Sequence, residues 1–194
     1  MSQFSTANNI GFRACRKLGG GAAIEKTFAV SASNNEAYFI GDAVTLGTSG
    51  KVRPLKNAST TAPLGVITSL MGSSGGKPIP LRFSQPTNGP FLTSGAAGFA
   101  LVNVSLDQTY IAAIDANVTE ASFGSGAKVS AGAPRTQNGI SGQSISGTLT
   151  TSADAQFQII GFAPVEELAT RTSAASPVLI EVKLLRSIFA GNPV

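Results

Sequence analysis

Among 194 residues there is no His and only one Cys, Cys15. The side chains that most often do chemistry near neutral pH are therefore missing. There is no imidazole to serve as general base, no Ser/His or Cys/His nucleophile pair of the usual kind, and no mixed Cys/His zinc site. Cys15 has no intramolecular disulfide partner, so nothing marks the chain as shaped in an oxidising compartment. Two Ser-x-x-Lys spacings remain, Ser74 to Lys77 and Ser125 to Lys128. A hydrolase places that spacing on a helix so that a neutral amine can activate the hydroxyl. Both lie in Gly-rich stretches that do not read as helix, and neither companion motif is present.

Gly72-Ser73-Ser74-Gly75-Gly76-Lys77 invites comparison with a phosphate-binding loop, but Met71 stands where its first Gly is needed and Pro78 where a hydroxyl would meet magnesium. It reads as a hairpin tip. Gly124-Ser125-Gly126 lacks the third Gly of a dinucleotide fingerprint and reads as a loop. Asp42, Asp107, Asp115, Asp154, Glu166 and Glu167 form a pool for acid–base work on glycosides, yet no pair is fixed across a cleft by spacing alone. With no Trp and two Tyr, aromatic platforms for sugars are scarce. The chain reads as a non-enzyme with no cofactor and no metal.

The elements around these residues are short. Apolar and β-branched runs recur between turn residues: 27–30, 37–40, 43–46, 64–70, 79–83, 99–104, 109–114, 144–150, 156–162 and 178–185. This pattern predicts an all-β fold, a sandwich or small barrel of jelly-roll or tulip-like kind. In the last run Ile180, Val182 and Leu184 alternate with Glu181 and Lys183, which predicts one buried and one wet face. Val44, Leu46, Val66, Ile67, Val102 and Ile159 join those three apolar residues as the expected core. Only 164–169 could form a helical turn, with Pro164 at its start. A subdivision of the body is conceivable near 86–97, where Pro, Gly and Ser gather.

Charged residues are 12% of the chain, well below the usual share. A surface of Ser, Thr, Asn, Gln, Gly and Ala surrenders little hydration when it packs against a partner, which favours an oligomer or lattice protein. Residues 1–100 hold nine Lys/Arg against three acids, whereas 101–194 hold five against seven. Arg13, Arg16 and Lys17 stand in the first 24 residues with no acid among them, which reads as a basic arm, 1–24, ahead of an all-β body, 25–194. Three basic residues without a dense stripe fall short of a nucleic-acid footprint. No stretch of 18 apolar residues spans a bilayer and no signal peptide opens the chain, so cytoplasmic synthesis without membrane attachment is expected.

One segment carries a more specific pattern. Gly41-Asp42-Ala43-Val44 turns the chain into a strand, Gly50-Lys51-Val52-Arg53-Pro54 closes a hairpin, and Pro63-Leu64-Gly65-Val66 introduces a third strand. This order resembles Gly-Asp-x-Val, Gly-x-Val-x-Pro and Pro-x-Gly-Val in the head decoration (cement) proteins of tailed bacteriophages, over roughly residues 36–70. The resemblance implies a homotrimer on the capsid exterior at three-fold and quasi-three-fold positions. Its partner would be the major capsid protein, often gripped through an N-terminal arm. On that basis Arg13, Arg16 and Lys17 are expected to seek acids on a neighbour while Phe4, Ile10, Phe12 and Leu18 fill small pockets. The alternative is a tail, knob or head-fibre component whose Ser/Gly/Asn loops, such as 130–142, recognise a host-surface glycan.

Overall fold

The computed structural model describes residues 10–30, 35–47, 49–56, 60–81, 90–114, 116, 118–134, 136–150, 154–164, 178–185 and 188. Within them the chain forms strands β1 (Arg13–Lys17), β2 (Glu25–Ala29), β3 (Ala43–Leu46), β4 (Val52–Pro54), β5 (Gly65–Ser74), β6 (Lys77–Pro80) and β7 (Gly98–Asn103). These are followed by β8 (Gln108–Ile114), β9 (Gly126–Ala127), β10 (Val129–Ser130), β11 (Ser144–Ile145), β12 (Phe157–Phe162) and β13 (Val178–Leu184). The fold is all-β. A single 3-10 turn, Glu120–Ser122, is the only helical element among the described residues. Of the anticipated turn at 164–169, all but Pro164 lies outside them.

Two sheets share the strands. One follows the order β10-β11-β8-β13-β12-β9, with β1 also on β8. Only Lys128 separates β9 from β10, so the two ends of this order are joined by the chain and the sheet curls into a nearly closed barrel. The other sheet follows β2-β7-β5-β3-β4, with β6 on β5. A parallel bridge between Val30, just past β2, and Val52 of β4 draws its ends together too. Register shifts between Ile159 and Gly161 and between Ile67 and Ser69 mark bulges, which increase local twist and let short sheets bend this sharply.

Each sheet wraps its own core. Tyr110, Ile114, Ile145, Phe157, Ile159, Ile180 and Val182 fill the first, and Tyr38, Val44, Val52, Leu64, Ile67 and Val102 the second. Ala43, Leu55 and Val66 come from the second sheet's part of the chain but pack into the first core, so the two bodies share an apolar seam. All of the expected core residues are buried except Leu46, which is half-buried. The chain passes between the two sheets from Lys17 to Glu25 and again from Asn103 to Gln108; of the span 86–97, 90–97 precedes β7 of the second sheet, and 86–89 lies outside the described residues.

The hairpins follow their turn chemistry. Gly75 and Gly76, both at positive φ, join β5 to β6 in a two-residue turn, as a right-twisted hairpin requires. Gly72 and Ser73, expected in the tip, are instead paired with Ile79 and Pro78. β3 pairs with β4 across the Gly50 turn as a hairpin, and β5, the strand that Pro63–Gly65 introduces, pairs with β3 rather than with β4.

Candidate interaction surface

The first described residues belong to the body. Phe12 is 2% exposed and its ring stacks on Phe157 at 4.6 Å with planes 11° apart. Ile10 is also buried. The Phe12 N–H donates to Gly41 O at 2.9 Å. Gly41 has φ of 88°, and a Cβ there would lie 3.2 Å from both N and O of Phe12, so glycine is needed both for the turn and for this close approach. β1 then pairs antiparallel with β8, Arg13 opposite Ile111 and Ala14 opposite Tyr110. The expected extended arm over 1–24 is therefore corrected for residues 10–18. Apolar residues spaced for pockets on a neighbour fill pockets of the same chain, because β8 offers an open edge and the first core a vacancy shaped for Phe12. Phe4 lies outside the described residues.

The basic cluster is divided in the same way. Arg16 donates from Nε and Nη2 to the two carboxylate oxygens of Glu181 at 2.7 and 2.8 Å. Glu181, expected on a wet face, is 2% exposed. Its strand does alternate, with Ile180, Val182 and Leu184 inward, but β1 lays the Arg16 guanidinium over the outer face and excludes water from the carboxylate. Lys17 Nζ donates to Ala22 O at 2.7 Å and lies 3.6 Å from Asp107. Arg13 is exposed and has no ion-pair partner among the described residues. Burial, with Glu181 adding to it, pushes the Cys15 thiol up, away from a reactive thiolate.

Beyond β1 the chain reaches the end of the molecule where the two sheets exchange it. Leu18 N–H donates to Asp107 O at 2.8 Å, Ile24 N–H to Ser105 Oγ at 2.6 Å and Val104 N–H to Ile24 O at 2.9 Å. Asn103 Oδ1 accepts from Ser105 N–H at 3.0 Å, and Gln108 Nε2 donates to Arg16 O at 3.0 Å. The 18–24 turn and the 104–107 crossover are thus braced against each other. On this braced end Leu18 is 51%, Ile24 55% and Leu106 42% exposed. Large aliphatic side chains left exposed on hydrogen-bonded backbone, interspersed with Lys17, Glu25 and Asp107, offer a contact surface. Sequence inspection found Leu18 but missed Ile24 and Leu106, because only the tertiary pairing of two loops more than 80 residues apart brings them together.

The residues considered for catalysis are dispersed. Ser74 and Lys77 face each other as the last pair of the β5–β6 hairpin, while Ser125 precedes β9 and Lys128 lies 3.8 Å from Asp154. Asp42 is buried, accepts the Phe39 N–H at 2.8 Å, and is pushed up to about 7 by burial, with Glu36 adding to the rise and Ser141 opposing it. Asp115, Glu166 and Glu167 lie outside the described residues. Among the described residues no three His, Cys, Asp or Glu side chains converge to hold a metal ion, and no helix is long and apolar enough to cross a membrane. The chain matches no family model, no curated protein and no solved structure.

Proposed function

We propose that this protein is a structural, non-enzymatic component of a phage head: a homotrimeric decoration protein that binds the major capsid protein on the capsid exterior and resists separation of its subunits. The observation that supports it most is the braced apolar end at Leu18, Ile24 and Leu106. Burying such side chains contributes roughly 25 cal/mol per Å² of apolar surface. Because the surrounding loops are already ordered, little of that gain is lost to ordering. Low surface charge and the Gly-Asp, Gly-x-Val-x-Pro and Pro-x-Gly-Val resemblance point the same way. A trimer touching several capsid subunits at once gains avidity from modest individual contacts, and all of them must be lost before the subunits part. No direct contact with nucleic acid or membrane is required.

The test is sedimentation of the free protein followed by co-sedimentation with undecorated heads. The wild type is expected to run as a trimer and to saturate the heads. The triple variant Leu18→Asp, Ile24→Asp, Leu106→Asp, with unchanged circular dichroism, is expected to lose trimerisation, head binding or both. A wild type that is monomeric and leaves heads undecorated defeats the proposal.

A further inference from the structure

A groove of about 240 Å³ opens at the seam between the two bodies. Its walls come from the approach to β3, the end of β4, and Ala131, Gly132, Pro134, Gly142 and Gln143 of the first body, with Phe39, Pro54, Leu55 and Pro134 supplying apolar surface. Two carboxylates, Glu36 and Asp42, line it. Asp42 has its acceptors engaged, by the Phe39 N–H and by Ser141. Glu36 does not. Lys56 Nζ lies 2.7 Å from Oε1, but Oε2 is buried and accepts no hydrogen bond. The Glu36 side chain is only 14% exposed, whereas Lys56 is 74% exposed. A buried carboxylate oxygen with no donor is costly, and a donor brought in from outside would relieve the cost.

We propose that this groove receives the side chain of an arginine carried on an extended segment of a partner protein. The apolar walls suit its aliphatic stem, and the planar guanidinium presents five donors, enough to meet Glu36 Oε2 beside the Lys56 contact on Oε1. The walls also withdraw water from the contact, which strengthens it relative to a surface pair. Gln143 fixes the floor: its Oε1 accepts the Ala43 N–H at 2.6 Å, and its Nε2 donates to Ala43 O at 3.2 Å and Leu55 O at 2.9 Å. With its amide so engaged Gln143 ties the first body to Ala43 and Leu55 and leaves the recognition to Glu36. The groove involves none of Leu18, Ile24 or Leu106, and the inference does not rest on the decoration reading.

The probe is N-acetyl-arginine amide titrated into the uniformly 15N-labelled full-length chain, with N-acetyl-citrulline amide, its neutral isostere, as control. Saturable shifts are expected at the Phe39, Asp42, Ala43 and Gln143 amides with the arginine probe, and none with citrulline. Glu36→Gln is expected to weaken the arginine probe at least about tenfold, the loss of one charge-assisted hydrogen bond. Ala37→Leu, which narrows the groove from an apolar wall and keeps both carboxylates, is expected to abolish the shifts while the rest of the spectrum stays in place. Equal shifts with both probes, undiminished affinity in Glu36→Gln, or shifts scattered over the surface acids would each overturn the proposal.

Discussion

Raising the pH from 4 to 8 should destabilise this protein, and Asp42 is the reason. Its carboxyl is 4% exposed and is pushed from an ordinary 3.8 up to about 7, chiefly because burial penalises the charged form. Glu36 is the charged neighbour that adds to the rise; Lys56 pairs with Glu36 rather than with Asp42, and Ser141 and the Phe39 N–H pull the other way. A carboxyl whose native value lies above its unfolded one binds its proton more tightly when folded. Between the two values the native state therefore holds more protons than the unfolded state, and stability falls as pH rises. The loss begins near pH 4, is complete just above pH 7, and then levels off. A rise of about 3 pH units at about 1.4 kcal/mol each sets the full loss at about 4 kcal/mol. With a urea slope of about 2 to 3 kcal/mol per M, the midpoint should fall by roughly 1 to 2 M. Urea unfolding followed by tryptophan-free probes, tyrosine fluorescence or circular dichroism, at half-unit steps from pH 4 to 8 measures this directly. Asp42→Asn should flatten the profile while keeping an acceptor for the Phe39 N–H. A wild-type midpoint that rises or stays level across that range, or a slope that survives in Asp42→Asn, would refute the reasoning.

The N-terminal segment yields two further tests. Phe12→Ala should destabilise by about 3 to 5 kcal/mol, the cost of emptying a packed aromatic site, and deletion of residues 1–24 should unfold the first body rather than release an intact one; thermal unfolding monitored by circular dichroism checks both. Arg16→Met should lower the melting temperature because it leaves Glu181 buried without its partner, whereas Arg16→Met with Glu181→Met should recover most or all of the loss. A single Arg16→Met variant as stable as the wild type would show that water reaches Glu181.

Much of the architecture could be read from the residues. The runs that became β3, β7, β8, β12 and β13 announced themselves because β-branched and apolar residues were bounded by Gly, Pro and Asn, and strand periodicity is a local property. The Gly41, Gly50 and Gly75-Gly76 turns were legible for the same reason, since a positive φ selects glycine wherever it occurs. β1 was not. Its residues Arg-Ala-Cys-Arg-Lys carry no strand pattern, and they become a strand only because the β8 edge accepts them and Phe12 anchors them beside Phe157. Glu181 shows the limit of alternation: the face it occupies followed from its position in the strand, but whether that face met water depended on Arg16, 165 residues away.

Sequence by itself determined the fold class, most strand positions, the inward residues and the absence of histidine chemistry, because these rest on composition and on contacts between near neighbours. Tertiary structure alone decided that Arg16 and Lys17 find partners within the chain, that Leu18, Ile24 and Leu106 stay exposed at the braced end, and that Glu36 and Asp42 share a groove whose floor is a buried glutamine. Each of these brings together residues far apart in the chain, and nothing in local spacing encodes which distant edge, pocket or charge a side chain will find once two curled sheets close against each other.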